Sequence, residues 1–331
     1  MKRIVNCRRV FAALAFALIT SINLASAFAQ KETTDPDFET QGEYTGELGS
    51  GGEATKFGLQ VIALGKGKFK AVGYHGGLPG AGWNGETPVR PEGIGERNGD
   101  SVTFKSDLGI GTIRNGEMTV TDLNGNPLGT LTKTKRESHT LNQKPPAKAV
   151  VLFDGKNAEQ WENGKVTEDG LLQQGTTSKQ KFGSHQLHIE FQLPFQPEAS
   201  GQGRGNSGIY LQGRYEVQML DSFGLEGKDN ECGGIYSVGA PALNMCLPPM
   251  SWQTYDITFT AAKYDGEKIV SNPRVTVYHN GVKIHDNVEL PGDRSTTAAP
   301  TKPGPEPGPI YLQDHGNPVR YRNIWVLETD K

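Results

Sequence analysis

Apolar and polar residues alternate in short runs along most of this chain, and the runs fall into two series. The first spans residues 42 to 135 and contains "FGLQVIAL" (57 to 64), "KFKAVGY" (68 to 74), "SVTFKS" (101 to 106), "GTIRNGEMTVTD" (111 to 122) and "LGTLTKT" (128 to 134). Period-two alternation with β-branched and aromatic residues predicts strands. The Asn-Gly pairs in "RNGE" and "DLNGNP" predict tight hairpins, because both central residues of such a turn need a left-handed backbone. A small all-β module is expected here. Its long loop, "HGGLPGAGWNGETP" (75 to 88), carries His75 and Trp83; Trp83 is expected to plug the module's own core, with stacking on a sugar ring as the alternative.

The second series follows a polar, proline-containing stretch at 136 to 147, which reads as a linker. It includes "QLHIEFQLP", "SGIYLQGRYEVQML", "WQTYDITFTAAKYD", "RVTVYHNGVKIHD", "GPIYLQDHG" and "YRNIWVLETD". No stretch keeps a helical apolar period for three turns, so residues 148 to 331 are expected to be an all-β sandwich or jelly roll. Prolines at 291, 300, 303, 305, 307 and 309 deny that stretch a regular ladder and predict a surface loop.

The N-terminus changes the picture of where the protein works. Lys2, Arg3, Arg8 and Arg9 precede an apolar run from Val10 to Thr20, and Ala27-Phe28-Ala29 offers a small-x-small cleavage site. Residues 1 to 29 therefore read as a signal peptide, too short in its apolar part for a comfortable span. Residues 30 to 41 are polar and expected to be flexible. The mature chain is expected in the periplasm or outside the cell. Loss of the four basic residues lowers the formal charge from −3 by a further four, which argues against nucleic acid or an anionic membrane as partner. Cys232 and Cys246 are the cysteines that remain, and an oxidising compartment predicts that they pair as a structural disulfide.

Residues 201 to 221, "GQGRGNSGIYLQGRYEVQMLD", contain G-x-G-x-x-G at Gly203, Gly205 and Gly208. A dinucleotide loop requires a strand before the glycines and a helix after them. Here prolines and polar residues precede them and a strand pattern follows, so they are expected to turn the backbone into a strand. H-E-x-x-H, G-x-S-x-G and G-x-x-x-x-G-K-[ST] do not occur. His185 and His188 would lie on opposite faces of a strand and make a poor metal pair. His279 and His285 flank a hairpin and are expected to be exposed.

"LFDGKNAEQW", "FGSHQLHIEFQLP", "GNSGIYLQGRYEVQMLD" and "GPIYLQDHGNPVRYRNIWV" together resemble the 3-keto-disaccharide hydrolase, or 3-keto-glucoside 1,2-lyase and hydratase, domain family. The likeness spans about residues 148 to 330. It implies a concanavalin-A-like jelly roll and action on 3-keto-glucosides or 3-keto-disaccharides, with a separate sugar 3-dehydrogenase supplying the oxidised substrate. Fold alone would not license a function.

Strand alternation then sorts the motif residues. In "QLHIEFQL", His188 and Glu190 face away from the apolar set, toward solvent or a sugar-lined groove. In "RYEVQMLD", Glu216 and Gln218 point together, and a bulge near Leu220 would bring Asp221 beside Glu216. Glucanases of the implied fold use a similar acid-x-acid-x-x-acid spacing, from which Gln218 departs. Two carboxyl groups about 5 Å apart would suit a conventional retaining glycosidase. A 3-keto sugar needs instead one base for the acidified C2 hydrogen and donors for the enolate oxygen. Glu216 or His315 is the candidate base. Arg214 and Arg322 are candidates to polarise the ketone, and Asn206, Gln218 and Gln313 to hold sugar hydroxyls. A divalent cation bound by oxygen ligands, with Glu216 and Asp221 among them, is a possible cofactor. A non-catalytic carbohydrate-binding protein, with Trp83, Tyr210 and Tyr215 as stacking surfaces, is the alternative.

Overall fold

The computed structural model describes residues 34 to 329 apart from 51, 52, 84 and 86 to 89. The signal-peptide reading thus lies outside the described residues. The chain is built almost wholly from strands, as the alternation predicts.

Eight strands form a closed up-and-down barrel: β1 (Gly42–Leu48), β2 (Thr55–Gly65), β3 (Lys68–His75), β4 (Glu92–Asn98), β5 (Ser101–Ser106), β6 (Gly109–Arg114), β7 (Glu117–Thr121) and β8 (Pro127–Thr134). Each pairs antiparallel with its sequence neighbour, and β8 closes on β1. Asn115 and Gly116, at φ of 50° and 79°, make the two-residue turn between β6 and β7 that their sequence predicts.

Apart from two short two-stranded pairings, Leu78–Pro79 with Gly82–Trp83 and Lys263–Asp265 with Lys268–Ser271, the remaining strands form two sheets: β9 (Val150–Phe153), β10 (Trp161–Glu162), β11 (Leu172–Gln173), β12 (Thr176–Phe182), β13 (His185–Gln192), β14 (Ser207–Leu211), β15 (Tyr215–Met219), β16 (Trp252–Thr260), β17 (Arg274–His279), β18 (Val282–Glu289), β19 (Gly308–Leu312) and β20 (Arg320–Glu328). One sheet runs β9-β20-β13-β16-β17-β18, with β11 also on β20; the other runs β10-β12-β19-β14-β15. Both donate alternate residues to one apolar core, including Leu187, Ile189 and Phe191 from the first and Ile209, Leu211, Val217 and Met219 from the second. The barrel joins this core through Ile62, Val72 and Tyr74. Trp83, expected to plug the barrel's own core, packs instead against this sandwich core, edge-on to Tyr74 at 5.0 Å, and is not a free stacking surface.

Several expectations change. The segment expected to be flexible holds a short helix, α1 (Pro36–Thr40), because buried Asp37 is anchored by the Arg97 guanidinium at 3.1 Å and the Gly67 amide at 2.8 Å. The expected linker is a strap. Arg136 grips the Glu43 carboxylate from one end, Ser138 and Thr140 bond to Thr254, and the Asn142 amide donates to Glu190 at 2.5 Å. His279 and His285 are buried, since the hairpin packs inward and gives them Gln253 and the Gly233 carbonyl as partners. The predicted disulfide is absent: Cys232 and Cys246 are free buried thiols. The two thiols lie against one another all the same, with the Tyr255 hydroxyl 3.3 Å from the Cys232 sulfur and the Leu247 carbonyl 3.5 Å from that of Cys246.

Candidate active site

The outer face of the five-stranded sheet carries a small grid of polar residues. Tyr311, Tyr210 and Glu216 lie side by side across β19, β14 and β15. One step along, Gly208 lies beside Gln218, and its carbonyl accepts from the Gln313 backbone N–H. Gly208 explains the last glycine of the G-x-G-x-x-G pattern: a Cβ there would run into the Glu216 carboxyl group, which leans over it. Gly205 serves its turn with φ of 60°, packed against Asp221.

Side chains bind this grid together. The Gln313 amide donates to the Tyr210 hydroxyl at 3.0 Å, Tyr210 donates to Glu216 Oε2 at 2.8 Å, and Gln218 donates to Asn206 Oδ1 at 2.9 Å. The proline-rich loop closes one side, where Thr296 Oγ1 receives the Glu216 amide and the Thr297 carbonyl lies 2.9 Å from Tyr210 Oη. The turn after β19 closes another, with Asn317 Oδ1 accepting from the Asn206 amide. His315 lies on that turn, exposed, between Gln313 and Asn317.

Glu216 is the chemically distinctive member. It is buried, its Oε1 has no hydrogen-bond partner, and Gln313 Oε1 is likewise unpartnered. Burial pushes its carboxyl up to about 7, against the opposing hydrogen bond from Tyr210. The Tyr210 phenol is itself pushed far up by burial and by the Glu216 charge. A hydroxyl has one proton to give, so Tyr210 serves either Glu216 or Thr297. When Glu216 is protonated it can donate to Tyr210, and Tyr210 to Thr297; when Glu216 ionises, the phenol proton must turn toward it. The grid is therefore a proton-responsive unit.

The other expected site residues lie elsewhere. Asp221 does not join Glu216: no bulge swings it back, because the buried Arg204 guanidinium holds it at 2.5 Å and also reaches the Ala63 carbonyl of the barrel. Arg214 is committed to Gln212, the Lys302 carbonyl and the Glu306 carbonyl, so it clamps the proline-rich loop. His188, Glu190 and Arg322 occupy the outer face of the other sheet, under the strap. His188 bonds Asp256 at 2.6 Å and stacks on Trp325; Arg322 bonds Glu190 at 2.7 Å and lies 4.0 Å over Trp252. Burial pulls the His188 imidazole down, but Asp256 and Glu190 outweigh it and hold it above the usual range. Burial likewise lifts Glu190, yet its bonds to His188, Asn323 and Arg322 leave it below the carboxylate range. With every partner supplied internally, these three form a structural network and not a sugar groove.

Sequence reading missed Tyr210 as the partner of Glu216, as well as Thr296, Thr297, Asn317 and Arg204. Tyr210 and Tyr215 are buried rather than displayed. Among the described residues, no group of three or more His, Cys, Asp or Glu side chains is placed to hold a metal ion. No helix among them is long and apolar enough to cross a membrane.

Comparison with known proteins gives these residues a family. A family model described as the 3-keto-alpha-glucoside-1,2-lyase-like domain matches residues 148–327. The chain belongs to that family. A crystal structure from Parabacteroides distasonis ATCC 8503, described as a "putative glycosyl hydrolase", is 36% identical over 56% of this chain and 85% of its own, with a TM-score of 0.51. A second structure from the same organism, described in the same words, is 20% identical over 55% of this chain and 94% of its own, with a TM-score of 0.41. A search of curated proteins gives no match. The 3-keto-alpha-glucoside-1,2-lyase-like match contains the whole Glu216 grid, and the barrel and strap precede it.

Proposed function

We propose that this chain is an exported carbohydrate-active enzyme that cleaves 3-keto-glucosides or 3-keto-disaccharides by elimination, on a jelly roll, with Glu216 as the base. The observation that carries the reading is a buried carboxyl group with one oxygen unpartnered, raised to about 7, linked through Tyr210 to Gln313 and followed along its strand by Gln218, which bonds Asn206. A base poised near the working pH is what proton abstraction next to a ketone demands.

Glu216 takes the C2 proton. The C–H electrons form the enolate across C2 and C3, and its donors in this reading are the Tyr210 hydroxyl, released once the protonated Glu216 donates to it, and the second N–H of the Gln313 side chain. The enolate then collapses, the C1–O bond breaks, and the departing oxygen takes a proton; His315, exposed on the adjoining turn, is our candidate for that acid. Water adding back at C1 would complete hydrolysis.

A retaining glycosidase is less well supported, because Asp221 is engaged by Arg204 and is not available as a second carboxylate beside Glu216. The carbohydrate-binding alternative loses Tyr210 and Tyr215 as stacking surfaces, since both are buried. A separate dehydrogenase that oxidises C3 is the partner this reaction requires. The divalent cation expected with Glu216 and Asp221 as ligands does not fit these residues, because Asp221 is held by Arg204 and no group of three His, Cys, Asp or Glu side chains forms a site among the described residues; a chelator should leave turnover unchanged.

The deciding assay offers a 3-keto-glucoside and its unoxidised parent to the mature protein. Release of the aglycone from the keto form alone supports elimination. Release from the parent overturns it.

A further inference from the structure

The barrel has a feature that the Glu216 chemistry does not use. Its inward positions are unevenly filled. Toward one end Tyr44, Val61, Ala63, Phe69, Val102 and Ile113 pack the interior. Toward the other, glycines recur among the inward positions: Gly73 on β3, Gly93 and Gly95 on β4, and Gly109 and Gly111 on β6. Large neighbours lie flat over three of them. A Cβ at Gly73 would meet the Phe57 ring, one at Gly95 the Phe104 ring, and one at Gly111 the Met118 thioether. Side chains that lie along the wall do not reach across the lumen. A cavity of about 230 Å³ results, lined by Phe57, Leu59, Ala71, Phe104, Met118 and Val120.

An eight-stranded barrel is wide enough either to be filled by its own side chains or to hold one small ligand. We propose that this barrel is a binding site for a single small, uncharged, apolar molecule, one or two fused rings in size. Three observations support the class. A cavity of about 150 Å³ with a similar apolar lining stays dry and takes up benzene, and this one is half as large again. The polar side chains in the lining, Thr55, His75, Glu92 and Ser106, are all end residues of their strands, at the rim, and the rest of the lining is apolar or glycine. Leu108, 61% exposed, lies in the lining with Leu48 and Leu128, so the entrance is apolar as well.

The test is a titration of the full mature chain with indole, followed by backbone amide NMR and by melting temperature. Saturable shifts clustered at Leu59, Ala71, Phe104, Met118 and Val120, with a rise in melting temperature, are expected, and glucose should produce neither. Ala71→Phe should fill the cavity and abolish the shifts; if that variant does not fold, Val120→Trp fills the same space from β7. No saturable shift at several millimolar indole, shifts centred outside the barrel, or undiminished binding by a folded filling variant would each overturn the proposal. If neither variant folds, the shift map of the unaltered protein decides.

Discussion

Replacing Glu216 by Gln should kill the enzyme and stabilise the protein, and the second effect should depend on pH. The carboxyl group titrates near 4.5 when solvated and about 7 in the fold. A raised folded pKa means that Glu216 weighs least on stability below about pH 4.5, and that stability is lost as pH rises through about 7. A shift of about 2.5 units corresponds to about 3 kcal/mol at pH 8. Gln fits as protonated Glu does: its amide donates to Tyr210 Oη, and Tyr210 then donates to Thr297. Glu216→Gln should therefore melt within a degree or so of wild type at pH 4 and roughly 5 to 10 °C above it at pH 8. Melting curves across that range, with turnover of a 3-keto-glucoside at pH 8, read both effects. An equal change in melting temperature at both pH values, or a variant less stable at pH 8, would refute the argument that the carboxylate is held in a costly site. Retained turnover would remove Glu216 from the chemistry.

Other outcomes test the surroundings. The pH profile of kcat/KM should rise with an apparent pKa of about 7, and Glu216→Gln should abolish that limb. Gly208→Ala puts a methyl group against the Glu216 carboxyl and should cost about 1 to 3 kcal/mol in denaturant unfolding while cutting turnover. Asp221→Asn breaks a buried ion pair and should cost about 3 kcal/mol, yet the fraction that remains folded should keep its specific activity; loss of turnover in folded protein would return Asp221 to the active site. His315→Ala should slow substrates with alkyl leaving groups about 100-fold and leave nitrophenyl leaving groups almost unaffected, so equal effects on both would exclude it as the acid.

Local pattern was enough to read the strands, the Asn115-Gly116 hairpin and the shared face of Glu216 and Gln218, because alternation and turn chemistry are written within a few residues. What it could not supply was the order of strands across a sheet. Tyr210 meets Glu216 and Tyr311 only because β14 lies between β15 and β19, and Tyr311 is a hundred residues away in sequence. The polar face of β13 was legible, but its cover was not: Ser138, Thr140 and Asn142 look like linker residues until they supply the hydrogen bonds that a buried face requires. Asp221 failed for a similar reason. An expected bulge near Leu220 placed it beside Glu216, while Arg204, seventeen residues earlier, had the stronger claim on its charge.

The strap at 136 to 143 carries a practical lesson about where this protein can be divided. A chain cut to begin at residue 148, where the family match starts, would take one donor each from Glu190 and Asp256, and would bare the apolar patch that Ile62, Val72 and Tyr74 now cover. Such a fragment would aggregate or melt early, even though nothing in its reaction chemistry had been removed. The barrel and the sandwich should accordingly come apart in a single cooperative transition, and the unit that folds is longer than the unit that is recognised.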